Sequence, residues 1–116
     1  LILHLPAPFG PRGYVGEYGT SGGATQYYHG LFSKTLGFDS LHQLALVLEQ
    51  CDSTYQPVRK GYQAMANRNR LVAQQCDHML AFTFGQGNQP ADGGTLITWN
   101  MAAPTVHKAH VSLLGI

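Results

Sequence analysis

The chain has 116 residues, 44% of them hydrophobic and only 11% charged, with a formal net charge of +1 and a pI near 8.0. That length suits one domain over residues 1–116, and a charged fraction below half the usual ~25% excludes a charge-driven disordered tail and a surface that binds nucleic acid by bulk electrostatics alone. No apolar run approaches the ~18–20 residues that span a bilayer. The apolar start, Leu1 to Leu5, lacks the basic leader and small-residue cleavage site of a signal peptide, and the missing initiator methionine reads as a fragment or a processed chain.

Leu1 to Leu5, bounded by Pro6 and Pro8, is too short for a helix and reads as a buried strand. Ala7 to Gly23 carries six Gly and two Pro and reads as a loop, with one short strand near Tyr14 and Val15. From Ala24, the residues Tyr27, Tyr28, Leu31, Phe32 and Leu36 recur at steps of three and four, which predicts an amphipathic helix ended by Gly37. Asp39 or Ser40 caps a second turn. The following run, Leu44 to Leu48, fits a helical stripe at its start and leaves a strand open at its end. Asp52 to Pro57 reads as a loop, and Val58 to Gln75 as the second clear helix. Cys76 to Phe84 reads as a strand leading into the flexible loop from Gly85 to Pro90. A helix over Leu96 to Ala103, opened by Asp92-Gly93-Gly94-Thr95 and closed by Pro104, precedes a last strand over His110 to Leu114. Helices alternating with apolar strands predict an α/β fold on a parallel sheet.

Two Gly-rich turns stand before helices, Thr20-Ser21-Gly22-Gly23-Ala24 and Asp92-Gly93-Gly94-Thr95. A glycine pair lets backbone approach a ligand, the first N–H groups of a helix point outward, and the helix dipole favours an anion there. Ser21 or Thr95 adds a hydroxyl. Four of the seven basic residues, Arg59, Lys60, Arg68 and Arg70, lie between positions 59 and 70. Arg68 is the one best placed to offer its planar fork to a phosphate or sugar; the bland alternative for this run is a solvated helix face.

The run Asn67-Arg68-Asn69-Arg70-Leu71-Val72-Ala73, then Asp77, the strand Met79 to Phe82, and Gly93-Gly94-Thr95-Leu96-Ile97-Thr98 resemble the second half of the SLOG superfamily domain. Within that superfamily the chain is similar to the DNA-processing protein A family and to the Lonely Guy phosphoribohydrolases. Ser21-Gly22-Gly23-Ala24 resembles the superfamily's "SGGA" turn, and Asp52 with Tyr55 its "D-x-x-Y" loop. The resemblance covers residues 20 to 114. It implies a three-layer Rossmann-like parallel sheet, here truncated at the N-terminus because the first strand, glycine and helix are compressed into a Pro/Gly loop. It also implies a nucleotide site in which Ser21, Gly22 and Gly23 line one side, Gly93, Gly94 and Thr95 hold a phosphate, and Arg68, with Asn69 beside it, meets the ribose or phosphate.

The hydrolases of this superfamily place a Glu shortly after the threonine, where this chain has Ile97 and Thr98, and neither can act as a base or steady an oxocarbenium charge. The leading expectation is therefore a domain that binds a nucleotide or a nucleotide-derived ligand, with no cofactor, no metal and no assigned catalytic residue. A phosphoribohydrolase-like enzyme drawing its acid from Asp92 or Asp52 is the alternative, and a single-stranded DNA-binding domain the third reading. His107 and His110, three apart but straddling the start of a strand, suit a surface or interface better than a metal. His29 lies one or two turns into the first helix, within reach of a ligand on that face. Tyr27, Tyr28, Phe82, Phe84 and Trp99 read as core or pocket wall. Cys51 and Cys76 read as separate buried thiols in a reducing, cytoplasmic setting. The resemblance implies a homo-oligomer.

Overall fold

A computed structural model describes residues 1–115. The protein is mixed α/β, and it divides into two compact units, Leu1–Arg68 and from Asn69 onward.

The first unit opens with strand β1 (Ile2–Leu5), then the antiparallel pair β2 (Phe9–Gly10) and β3 (Gly13–Tyr14), whose short connection is Pro11-Arg12. Helix α1 runs Ser21–Leu36 and α2 Ser40–Leu48, followed by strand β4 (Asp52–Tyr55) and helix α3 (Gln63–Gln75), which continues into the second unit. The α1–α2 segment is the crossover that lets β4 return parallel to β1, with Ile2 opposite Asp52 and Leu5 opposite Tyr55.

The segment 52–55 is thus a strand where a loop is expected. All four of its side chains are exposed and none marks a buried face, so backbone pairing with β1 makes the strand, helped by a 2.6 Å contact of His4 Nδ1 with Thr54 Oγ1. The run from Leu44 to Leu48 resolves as helix to its end. Asp39 caps α2 by accepting the N–H groups of Leu41 and His42, both at 3.1 Å. Leu41, Leu44 and Leu48 then share one face of α2, packed with Leu3 and Phe9 against the buried residues Leu5, Ala7 and Tyr14. Phe9 meets Tyr14 edge-on, centroids 5.2 Å apart.

Helix α1 begins at Ser21, three residues before the apolar periodicity starts. The Thr20 hydroxyl caps it, accepting the Gly23 N–H at 3.2 Å and donating to the Glu17 carbonyl at 2.6 Å. It stops at Gly37 as the sequence predicts, with φ 76° and the Gly37 N–H on the Ser33 carbonyl at 3.0 Å. Residues 58–61, expected as helix, instead run beside the start of α1, where Lys60 bridges Thr20 and the Arg59 carbonyl accepts the Ser21 N–H at 2.8 Å. Helix α3 therefore opens only at Gln63.

In the second unit, strand β5 (His78–Thr83), helix α4 (Gly94–Met101) and strand β6 (His107–Ser112) follow α3. β5 and β6 pair in parallel, with His78 opposite His107 and Thr83 opposite Ser112, and β6 starts three residues earlier than its apolar run. Trp99 of α4 is buried, as are Ala73, Ala81 and Ala102. Lys108 Nζ lies 5.5 Å from the Trp99 ring centre and donates to the Trp99 carbonyl at 2.8 Å, so a cation satisfies the C-terminal end of α4.

The described strands form three two-stranded sheets and not the one continuous sheet expected. The β2–β3 pair is a tight antiparallel turn, a geometry outside a run of parallel crossovers. No helix of the described residues is long and apolar enough to cross a membrane. Cys51 and Cys76 are free thiols, and both are half-buried where full burial is expected.

Candidate functional site

The first Gly turn sits at the start of α1, held in place by its own unit. Ser21 is 0% exposed. Its amide is bonded to the Arg59 carbonyl, and its Oγ lies 3.4 Å from the Arg59 N–H. A Cβ built on Gly22 would stand 1.7 Å from the Val15 carbonyl oxygen, and one on Gly23 would stand 2.1 Å from that of Glu17. The loop carrying Val15 and Glu17 therefore lies directly on the glycines, and their missing side chains are what let it do so.

Arg68, on α3, is half-buried, and its charge acts on the phenol of Tyr14. Burial holds the Arg68 guanidinium below its usual range, an effect the phenol partly opposes. Burial likewise pushes the Tyr14 phenol up, and the arginine pulls it back. The Tyr14 amide donates to Gln26 Oε1 at 2.9 Å, and the Tyr14 ring tilts against His29, centroids 5.6 Å apart. Tyr14 thus joins strand β3, helix α1 and the arginine. His29, read as able to face a ligand, packs against Tyr14 and Phe32 and contacts the Ser40 hydroxyl through Nδ1. Burial holds its imidazole below the usual range.

The second Gly turn is built differently. Helix α4 has Gly93 at its N-cap, with φ 121° and no side-chain cap, and Gly93, Gly94 and Thr95 are all exposed. A Cβ on Gly93 or Gly94 would meet nothing within 4 Å. The turn follows β5 through the loop 84–92, so it stands past the carboxyl end of a strand in a parallel pair, which is where open α/β sheets bind ligands. Asn69, half-buried on α3, belongs to this second unit, whereas Ser21, Gly22, Gly23 and Arg68 belong to the first.

The contacts of four residues escape a sequence reading. Tyr14 is one of three aromatics in a Gly-rich stretch, with Phe9 and Tyr18, and nothing marks it out, and Arg59 acts through its backbone, which has no sequence signal. Thr83 and His110 meet at 2.7 Å across β5 and β6, which only strand register could show. Two further histidines, His78 and His107, stack at 5.1 Å on neighbouring strands. Among the described residues no cluster of three His, Cys, Asp or Glu side chains is arranged to hold a metal ion.

The fold and this geometry define a mixed α/β protein with an exposed, uncapped glycine turn at the end of a parallel strand pair. The chain is similar to uncharacterized protein R261 of Acanthamoeba polyphaga mimivirus, at 32% identity over 102 residues, which covers 86% of this chain and 50% of that protein. The chain thus spans about half the length of the curated relative it matches. No protein-family model and no solved structure matches it.

Proposed function

We propose that this chain is a binding module for a phosphorylated nucleoside or another nucleotide-derived ligand, on a Rossmann-like plan of the SLOG type. The observation that carries the reading is the start of α4. No side chain caps it, both glycines are open to solvent, and Thr95 adds a hydroxyl to the outward-pointing first-turn N–H groups. The parallel pairs β1–β4 and β5–β6, each closed by a helical crossover, support the Rossmann-like plan. Arg68 is the first unit's candidate for a phosphate or ribose, since a partly desolvated guanidinium gains more from an anion than a fully hydrated one. Ser21, Gly22 and Gly23 serve in this reading by holding the loop 15–19 on α1. The exposed apolar residues Tyr28, Leu31, Phe32 and Leu36 of α1 suit a homo-oligomer, which light scattering measures.

The test is calorimetry with a panel of nucleoside mono- and diphosphates against the unmodified chain, Gly94→Leu and Arg68→Ala. A leucine at position 94 has open space and no positive φ to fight, so the fold keeps its melting temperature while the anion's approach is blocked. Binding at least tenfold weaker in Gly94→Leu, about 1.4 kcal/mol, is the expected result. Equal binding by Gly94→Leu and the unmodified chain refutes the site, and equal binding by Arg68→Ala and the unmodified chain refutes the role given to Arg68. Release of a free base from a monophosphate, lost in Asp92→Asn, would instead make the protein an enzyme. Salt-dependent binding of a DNA oligonucleotide in place of nucleotides would assign it to single strands.

A further inference from the structure

The loop after β5 closes on itself. Gly85 and Ala91 touch, and a Cβ on Gly85 would stand 2.8 Å from the Ala91 nitrogen. The Thr83 hydroxyl joins both ends, accepting the Gly85 N–H and the Ala91 N–H, each at 3.1 Å. Pro90 is buried at the loop's return. The loop's tip is tied as well, for His110 Nδ1 lies 2.9 Å from the Gly87 carbonyl, while its Nε2 lies 2.7 Å from Thr83 Oγ1. Gly87, with φ 94°, supplies the left-handed turn that brings its carbonyl there.

These four contacts admit one pattern of hydrogens. A threonine hydroxyl has two lone pairs and one proton. Both lone pairs of Thr83 are taken by amides, so its proton goes to His110 Nε2. That nitrogen is then the acceptor of a neutral imidazole, and the ring proton sits on Nδ1, facing a carbonyl that can only accept. In the other tautomer Nε2–H would face a hydroxyl with no lone pair left, and a bare Nδ1 would face the Gly87 oxygen.

The geometry points to a latch in which His110, fixed as its Nδ1–H tautomer, and Thr83 clamp the loop 85–91 at both ends and at its tip. The latch sets the path of the chain into the Gly93-Gly94 turn, so both residues are positioning residues for the start of α4. It goes beyond the ligand reading, because the tautomer is measured with no ligand present and a protein that binds no nucleotide still carries the latch.

The test is a two-bond 1H–15N correlation spectrum of protein labelled with 15N-histidine, at about pH 8, where an ordinary imidazole is neutral. His110 is expected to show a protonated Nδ1 and a bare Nε2. A protonated Nε2 overturns the proposal. Amide exchange gives an independent readout: Thr83→Val, which keeps the shape and removes the hydroxyl, speeds exchange at Gly85 and Ala91 by at least about fivefold, and Thr83→Ser restores it. Unchanged exchange in Thr83→Val also overturns the latch. If that variant fails to fold, the tautomer in the unmodified protein decides.

Discussion

Gly22 and Gly30 lie in the same helix, and replacing each by alanine asks two different questions. At Gly30 a methyl group meets nothing within 4 Å, so Gly30→Ala gains only helix propensity, about 0.5–1 kcal/mol. At Gly22 the same methyl stands 1.7 Å from the Val15 carbonyl oxygen and 2.6 Å from its carbon. An ordinary C···O contact is about 3.3 Å, so the Val15 peptide has to retreat by roughly 1.5 Å. That peptide belongs to the loop whose next residues hold the Thr20 cap, and Val15 itself is bonded through its amide to the Pro8 carbonyl at 2.8 Å. Overpacking against backbone at this scale costs about 3 kcal/mol or more, which separates the two variants by about 4 kcal/mol. With a urea dependence of about 1.5 kcal/mol per molar, their unfolding midpoints differ by more than about 2 M. Urea titration followed by circular dichroism measures this directly. Midpoints within about 0.5 M of each other would refute the claim that Gly22 exists for the contact with Val15.

Asp39→Ala removes the acceptor of two amides at the start of α2 and is expected to cost about 1 kcal/mol in the same assay, with Asp39→Asn retaining most of it. His29 makes stability depend on acid. Because burial holds its imidazole below the unfolded value, the unfolded chain takes up that proton first. Its contribution is complete above about pH 6.5 and is lost as pH falls through the folded value. The urea midpoint should therefore drop less between pH 7.5 and 5 in His29→Gln than in the unmodified chain, and identical drops count against the buried-histidine account. Tyr14 acts at the alkaline end: its raised phenol keeps a contribution that is present below about pH 10 and lost as pH rises through the folded value. Ultraviolet titration of the phenols, compared with Tyr14→Phe, isolates that late ionisation.

Where a segment's own chemistry decides its state, the sequence sufficed. The apolar start of the chain is β1, Gly37 ends α1, Asp39 caps α2, and the apolar run after Asp77 is β5. Both Gly turns were legible as helix starts because a glycine pair before a periodic run is a local signal. Their difference was not. The first is pressed by Val15 and Glu17, residues that sequence spacing places only vaguely in a loop, while the second has open space at the same atoms. Strand β4 was likewise hidden, since Asp52-Ser53-Thr54-Tyr55 has no buried face and exists through its ladder with β1, about fifty residues away in sequence.

The sequence by itself determined the α/β character, most element positions, the glycine pairs that open two helices and the low charge of the chain. Tertiary structure alone decided which glycine turn is packed and which is open, that Arg68 acts on Tyr14, and that Thr83 and His110 meet across two strands. The physical reason is the same in each case. Propensity, capping and periodicity act within a few residues, whereas steric contact, desolvation and hydrogen-bond saturation depend on atoms that only folding brings within a few ångströms of one another.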